Sequence, residues 1–509
     1  MTEHQDQSHL PTCLRPDLAK EWQEPLNVRD LATRLETEGV TDAVARSEFG
    51  YETAHSMAET WLPRVLTYGP TLEPPLAHKG LLREYVNGIA FSVPLLFSCL
   101  SMLTLGFALW GGELPNEDAT AVGIGTVGSF LLAGGVVQAM VRRGLFFHTT
   151  QQPSMCASSI RHWFAVGVGI VGVGSLVLLA ASEYWTWLPS RVNLVAAAFC
   201  VTLGIFWLAA GAFYVLEKGA LLVWLNLAGI GVVWFLHAWC ALPLITSQLL
   251  ALAACCSAGT WIVLRFLRQI VGSAQSDVGA WDLAKEAYAV WPFFLYGITY
   301  YLLLFGDRLS AWTAQTYSAP LAVQFRGDYE TAINIGLFTF VVLAGWVHCA
   351  TAAFYTVIAR SSKSHLVTEI SAFRADVQRC YQKYALLLVA LGVAAGLISF
   401  GVGTATGLLT GATTLQTAVA SLIGYVLLMF GLWNVNLLFG LSSPVAAVRS
   451  AAIGCLANLC LGYLCSRVWG YEYAVIGFLA GGAVFAMASR ASVLQAFQEL
   501  DYRQFVVTG

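Results

Sequence analysis

The sequence predicts an all-α polytopic membrane protein, with about 12 transmembrane helices in two six-helix halves around a central cavity. Three observations carry that class. Of 509 residues, 57% are hydrophobic and only 11% charged, far below the roughly 25% charged content of soluble domains. Ten windows hold no Asp, Glu, Lys or Arg: 85–112, 119–141, 162–182, 192–216, 219–264, 287–306, 331–359, 384–448, 450–466 and 473–489. Crossing the hydrocarbon core takes about 20 apolar residues, so 219–264 and 384–448 each hold two spans and the count reaches twelve. Finally, with the N-terminus placed inside, the inner connections carry 18 Lys and Arg against 4 on the outer side. That excess predicts both termini in the cytoplasm.

Residues 1–84 are a different material. Seven basic and thirteen acidic residues over 1–80 make the region acidic. Leu31 and Leu35 share one helical face, and Tyr51, Ala54, Ala58, Trp61 and Val65 share another, so the region reads as partly helical and cytoplasmic. Residues 85–267 read as the first six-helix bundle, with the double window breaking near His237–Pro243. A polar cytoplasmic linker follows at 268–286. Residues 287–509 form the second bundle, whose double window breaks in the Gly/Thr-rich stretch 402–413. An amphipathic cytoplasmic helix is expected near 364–383, where Leu366, Ile370, Phe373, Val377 and Tyr381 share a face. It lies on the membrane surface or against the bundle.

Catalytic constellations are missing from the sequence. It contains no GxSxG, Walker loop, HExxH or nucleotide fingerprint in its proper setting, and the twelve cysteines include no CxxC pair. No enzyme activity, cofactor, metal site or nucleic-acid partner is expected. What remains is polar material where lipid makes it costly, and such residues usually face a protein interior or an aqueous path. Asp307 and Arg308 close the seventh span, at its outer rim or one to two turns inside if the helix runs on through Trp312. Asp328 and Glu330 open the eighth span, with Asn334 one turn below. His348 lies deep in the eighth span, where a helix-to-helix hydrogen bond is its ordinary role. Asn434 and Asn436 lie within the tenth span.

The stretches WPFFLYGITYYLLLFGDRLSAW (291–312), FRGDYETAINIGLFTFVVLAGW (325–346) and AAFYTVIARSSKSHLVTEI (352–370) resemble the PelG-type inner-membrane subunit of exopolysaccharide export. That family lies within the multidrug, oligosaccharidyl-lipid and polysaccharide exporter superfamily. In it, an aromatic seventh span ends in an acidic then a basic residue, and an acidic-aromatic loop opens the eighth. The correspondence falls on Asp307, Arg308, Asp328 and Tyr329. It covers 287–385, with hydropathy alone matching elsewhere, and this chain departs in carrying about 84 residues before its first span.

The resemblance implies a multi-pass protein of the bacterial inner membrane that moves a polysaccharide or lipid-linked glycan. It also implies a cytoplasmic glycosyltransferase and other export-complex subunits as partners, with the acidic N-terminal region as a docking surface. The expected substrate path is Asp307, Arg308, Asp328, Tyr329, Glu330, Asn334, His348, Asn434 and Asn436. Alternatives are a cation-coupled drug or oligosaccharide-lipid flippase of the same superfamily, and a membrane-bound glycan transferase or synthase scaffold.

Overall fold

The computed structural model describes residues 28–37, 39–68, 81–90, 92–150, 152–273, 283–314, 321–364 and 370–500, together with Leu14. It divides into two compact units, Met1–Lys79 and Gly80–Gly509. Three short helices make up the described part of the first: α1 (Val28–Thr37), α2 (Asp42–Glu48) and α3 (Ala54–Tyr68). Leu31, Leu35, Ala45, Met57, Ala58 and Val65 bury against one another as its core. Thr41 caps α2, and the Asp42 carboxylate accepts from the Ala54 amide at 2.8 Å, which starts α3. The unit ends before Glu84, which belongs to the membrane unit.

The membrane unit is built of helices joined by short turns, as backbone crossing a bilayer requires. Its helices are α4 (Leu81–Ala90), α5 (Val93–Leu105), α6 (Asn116–Thr149), α7 (Pro153–Tyr184), α8 (Ser190–Val215), α9 (Gly219–Trp234) and α10 (Leu244–Ser273). Then follow α11 (Leu283–Trp312), α12 (Gly327–Ser364), α13 (Ile370–Ala405), α14 (Ala412–Gly440), α15 (Pro444–Val468) and α16 (Val475–Gln498). Among the described residues, eleven helices, α6 to α16, are long and apolar enough to cross a membrane. Both double windows break where expected. A π turn at Phe235–Trp239 and Pro243 separate α9 from α10, and residues 406–411 separate α13 from α14.

The first expected span differs. Instead of one helix over 85–112, the chain makes α4 and α5, and then a tight turn in which Phe107 pairs with Gly112. Pro94 stands in the first turn of α5, where its missing N–H costs nothing. Gly106, Gly111 and Gly112 take positive φ, which ends the helix. Hydropathy cannot register this, because the freed carbonyls are satisfied from elsewhere. The buried Gln248 amide donates to Ala108 O at 3.0 Å and Gly111 O at 2.7 Å. The packing of the pair differs too: α4 lies on α12 of the second half while α5 contacts α9 of the first, so the pair bridges the halves.

The expected amphipathic helix near 364–383 is continuous with the ninth span inside α13, although residues 365–369 lie outside the described set. Phe373, Val377 and Tyr381 are buried, and Tyr381 stacks on Trp433 with ring centroids 5.0 Å apart. Part of the expected linker, residues 274–282, also lies outside the described set.

Two hydrophobic cores follow the two halves, one running from Phe107 to Phe293 and the other from Tyr296 to Leu500 with Val127 of α6 joining it. The halves meet where α6 crosses α11. A Cβ on Gly297 would stand 2.5 Å from Gly134 O and 2.8 Å from the Gly135 Cα. Small residues of this kind let membrane helices approach closely. At one end of the seam Arg143 grips Glu286 bidentately, with both N–O distances 2.7 Å. At the other end the Phe325 amide donates to Thr120 Oγ1 at 3.0 Å.

The seam yields a direct test. Gly297→Ala should lower the thermal midpoint of the purified protein by the equivalent of about 1–3 kcal/mol, the usual cost of overpacking. Gly231→Ala on α9, where a Cβ would meet nothing within 4 Å, should leave the midpoint unchanged or raised. Equal behaviour of the two variants would contradict the crossing.

Candidate functional site

A cavity of about 1090 Å³ opens between the halves, walled by α5, α6 and α8 on one side and α11, α12 and α14 on the other. The aromatic run on α11 supplies much of its lining. Phe293, Tyr296 and Tyr300 recur at helical spacing, so one face carries them all, and Tyr301 continues that face. Their rings join others into a continuous surface. Trp110 meets Trp207 at 5.5 Å, Trp207 stacks on Phe130 at 4.5 Å, and Phe130 stacks on Tyr301 at 4.9 Å. Tyr301 then touches Tyr300 at 5.4 Å, Tyr300 stacks on Tyr296 at 5.8 Å, and Tyr296 meets Phe439 at 5.2 Å.

Helix α11 does run on through Trp312, so Asp307 and Arg308 lie more than a turn inside it, 0% and 5% exposed. Adjacent helical residues point about 100° apart, which divides the pair between two tasks. Arg308 faces the cavity. It donates to Glu330 Oε2 at 3.0 Å, to the Leu304 carbonyl at 3.2 Å and to the Tyr425 hydroxyl at 3.3 Å. Trp312 Nε1 donates to Glu330 Oε1 at 2.9 Å, which completes the carboxylate. Asp307 is not among the cavity-lining residues and accepts from the Tyr329 hydroxyl at 2.7 Å, and its Oδ1 has no hydrogen-bond partner among the described residues. The next residue on each helix thus pairs with the next on the other: Asp307 with Tyr329, Arg308 with Glu330.

The remaining expected positions separate in the same way. Asn334, His348 and Asn436 line the cavity together with Arg308 and Glu330. Asn434 is buried in the second half, where it accepts from Tyr381 Oη at 2.9 Å and donates to Ser489 at 3.1 Å. Two residues along a helix are about 200° around its axis, so Asn434 and Asn436 cannot share a face. Asp328 is exposed in the first turn of α12 and does not line the cavity.

His348 makes a helix-to-helix bond, but to a residue that sequence reasoning left in the soluble region. Its Nε2 lies 3.1 Å from Glu84 Oε2 on α4. Nearby, the Tyr85 hydroxyl donates to the Val342 carbonyl at 3.1 Å, and a Cβ on Gly88 would stand 2.6 Å from the His348 Cβ. The signal that marks Glu84 is its place one residue before a charge-free window. A carboxylate there extends a span as readily as it ends one.

No family model matches the chain, and no curated protein matches it. Solved structures do. A MOP superfamily transporter from Pyrococcus furiosus, described as having a binding pocket of reverse polarity, superposes with a TM-score of 0.60 at 14% identity. The match covers 85% of this chain and 99% of that one. A multidrug resistance MATE family transporter in an outward-facing conformation superposes with a TM-score of 0.58 at 13% identity, over 83% of this chain and 96% of that one. A MATE protein in complex with Br-NRF gives 0.57 at 12% identity, over 83% and 96%. The fold is that of these transporters.

The buried pair sets an energetic expectation. Removing one partner of a buried ion pair typically costs about 3–5 kcal/mol, because the other charge is stranded, whereas replacing both is far cheaper. Arg308→Met should therefore destabilise the protein strongly, and Glu330→Gln added to it should restore part of the loss. Thermal unfolding of both single variants and the double variant measures this coupling. Strictly additive costs would contradict the pairing.

Proposed function

We propose that this protein is a transporter that moves an exopolysaccharide, or a lipid-linked glycan, across the cytoplasmic membrane of a bacterium. The observation that carries the reading is the aromatic surface inside the cavity between the halves. Sugar rings present flat C–H faces that stack on aromatic rings, and hydroxyls that need a few placed polar groups. A mostly apolar pocket with a few convergent polar side chains is the usual form of a ligand site. Arg308, Glu330, Asn334, His348 and Asn436 supply those groups here. The superposition on MOP superfamily transporters supports a transport role, and the resemblance of 287–385 to PelG-type subunits supports a polysaccharide cargo. No catalytic step is assigned to any residue.

In this reading both termini lie in the cytoplasm, as the excess of inner Lys and Arg favours. The acidic first unit then meets a cytoplasmic glycosyltransferase, and other export subunits complete the assembly. One observation favours a second reading, a cation-coupled flippase of the same superfamily. Asp307 Oδ1 and Asn458 Oδ1 are both buried acceptors with no hydrogen-bond partner among the described residues, and such oxygens are the ligands a small hard cation takes.

Deleting the protein should remove polymer from the cell surface and leave material inside, whereas loss of all synthesis would favour a transferase or synthase scaffold. Tyr301→Ala, at unchanged protein level, should lower surface polymer about tenfold, the equivalent of about 1.4 kcal/mol of lost stacking. Undiminished export in that variant would refute the cavity as the glycan path. Asp307→Asn separates the two readings. Export that loses its dependence on Na⁺ or H⁺ in this variant identifies the coupled flippase.

A further inference from the structure

The cavity has a second polar end. Arg142 on α6 lines it and is open to it, with its guanidinium over the Phe293 ring at 5.1 Å from the centroid. The other cations facing the cavity are matched: Arg308 by Glu330 and His348 by Glu84. Its neighbour Arg143 is closed off by Glu286. Arg142 has no carboxylate partner among the described residues. One turn before it, Gln138 lines the same face of α6, and across the cavity Asn436 lines α14. The Tyr355 hydroxyl donates to the Asn436 carbonyl at 3.3 Å and the Leu437 carbonyl at 3.1 Å, which holds that wall in place. The side-chain amides of Gln138 and Asn436 have no protein partner among the described residues.

An arginine at the end of a span ordinarily reaches out to the interface, whereas Arg142 lines the cavity. The cation–π contact with Phe293 holds the planar guanidinium against the ring, and among the described residues its N–H groups make no hydrogen bond or ion pair. That planar fork matches a carboxylate or phosphate bidentately. Phe293 and Arg308 are fifteen residues apart on α11, a rise of about 22 Å, so the aromatic surface runs between two guanidinium groups. Of these only Arg142 is unneutralised.

Resting on the glycan reading above, we infer that Arg142, with Gln138 and Asn436, forms an oxyanion station that binds a carboxylate or phosphoryl group of the transported glycan. The station gives the path a charge preference that the self-compensated Arg308–Glu330 pair does not supply. A guanidinium that merely anchors α6 to Phe293 would have no such preference.

Calorimetric titration of the full chain in phosphatidylcholine nanodiscs tests this with three probes: trigalacturonate, neutral galactotriose and inorganic pyrophosphate. The wild type should bind trigalacturonate at least about tenfold tighter than galactotriose, as expected for a charge-assisted bidentate contact. Arg142→Gln should erase that margin while leaving the galactotriose Kd unchanged, and Arg142→Lys should keep part of it. If Arg142→Gln loses its monodisperse elution, Gln138→Leu and Asn436→Leu read the same margin, which should shrink about threefold in each. The tighter of trigalacturonate and pyrophosphate identifies the oxyanion as sugar carboxylate or phosphoryl, and either supports the station. Equal affinity for the charged and neutral trisaccharides, or a margin intact in Arg142→Gln, overturns the station while the glycan path stands. Arg142-dependent binding of pyrophosphate with no binding of either trisaccharide supports the station and overturns the glycan reading. Binding of none of the probes overturns both.

Discussion

A charge taken out of water must find its opposite, and the Arg308–Glu330 pair is where this protein meets that demand most severely. Both residues are almost fully buried, 5% and 6% exposed, at the end of α11 and the start of α12. Every acceptor and donor around them is arranged to complete the pair: Tyr425 from α14, Trp312 from α11 and the Leu304 carbonyl. This fixes how α11, α12 and α14 sit against one another, and those three helices form one wall of the cavity. The wall is polar at this station because the charges that hold it together also face inward.

The opposite wall belongs to the first half, and the two halves touch along α6 and α11. There the packing is as close as backbone allows, at Gly134, Gly135 and Gly297, with Arg143–Glu286 closing one end. The bridge on the other flank is built differently. The α4–α5 pair is broken after residue 90 and rests on both halves, held to α12 by Glu84–His348 and Tyr85–Val342. A close-packed seam on one side and a segmented bridge on the other leave a cavity between them, with its aromatic surface continuous across α6, α8, α11 and α14. Stacked rings offer many equivalent resting places along a path, which suits a long, repetitive ligand better than a single fixed one.

Charge-free windows locate every long span, because the bilayer leaves little other choice of composition. Both hidden breaks in the long windows follow from Pro243 and the Gly/Thr-rich stretch 402–413. The first span escapes this logic: α5 gives way to a turn whose carbonyls are satisfied by Gln248, 137 or more positions away. Long-range satisfaction leaves no local trace. The same holds within the site. Aromatic content and the acid–base pair on the seventh span mark where polar groups gather, but not which way each points. A shift of one residue sends Asp307 to Tyr329 and Arg308 to Glu330, and a shift of two puts Asn434 in the core and Asn436 in the cavity. Asp328 differs from its neighbours because the first turn of α12 has solvent on that side. Arg142 goes unnoticed in the sequence, since beside Arg143 it reads as one more basic residue at the end of a span.

The central claim is that the glycan passes between the halves along the aromatic surface. A photo-crosslinking amino acid placed at Tyr301 during active export tests it most directly, with the same residue at Leu397, which is 68% exposed on the outer surface of α13, for comparison. Polymer captured at Tyr301 and not at Leu397 is the predicted result. Capture at neither position, or equally at both, would contradict the account.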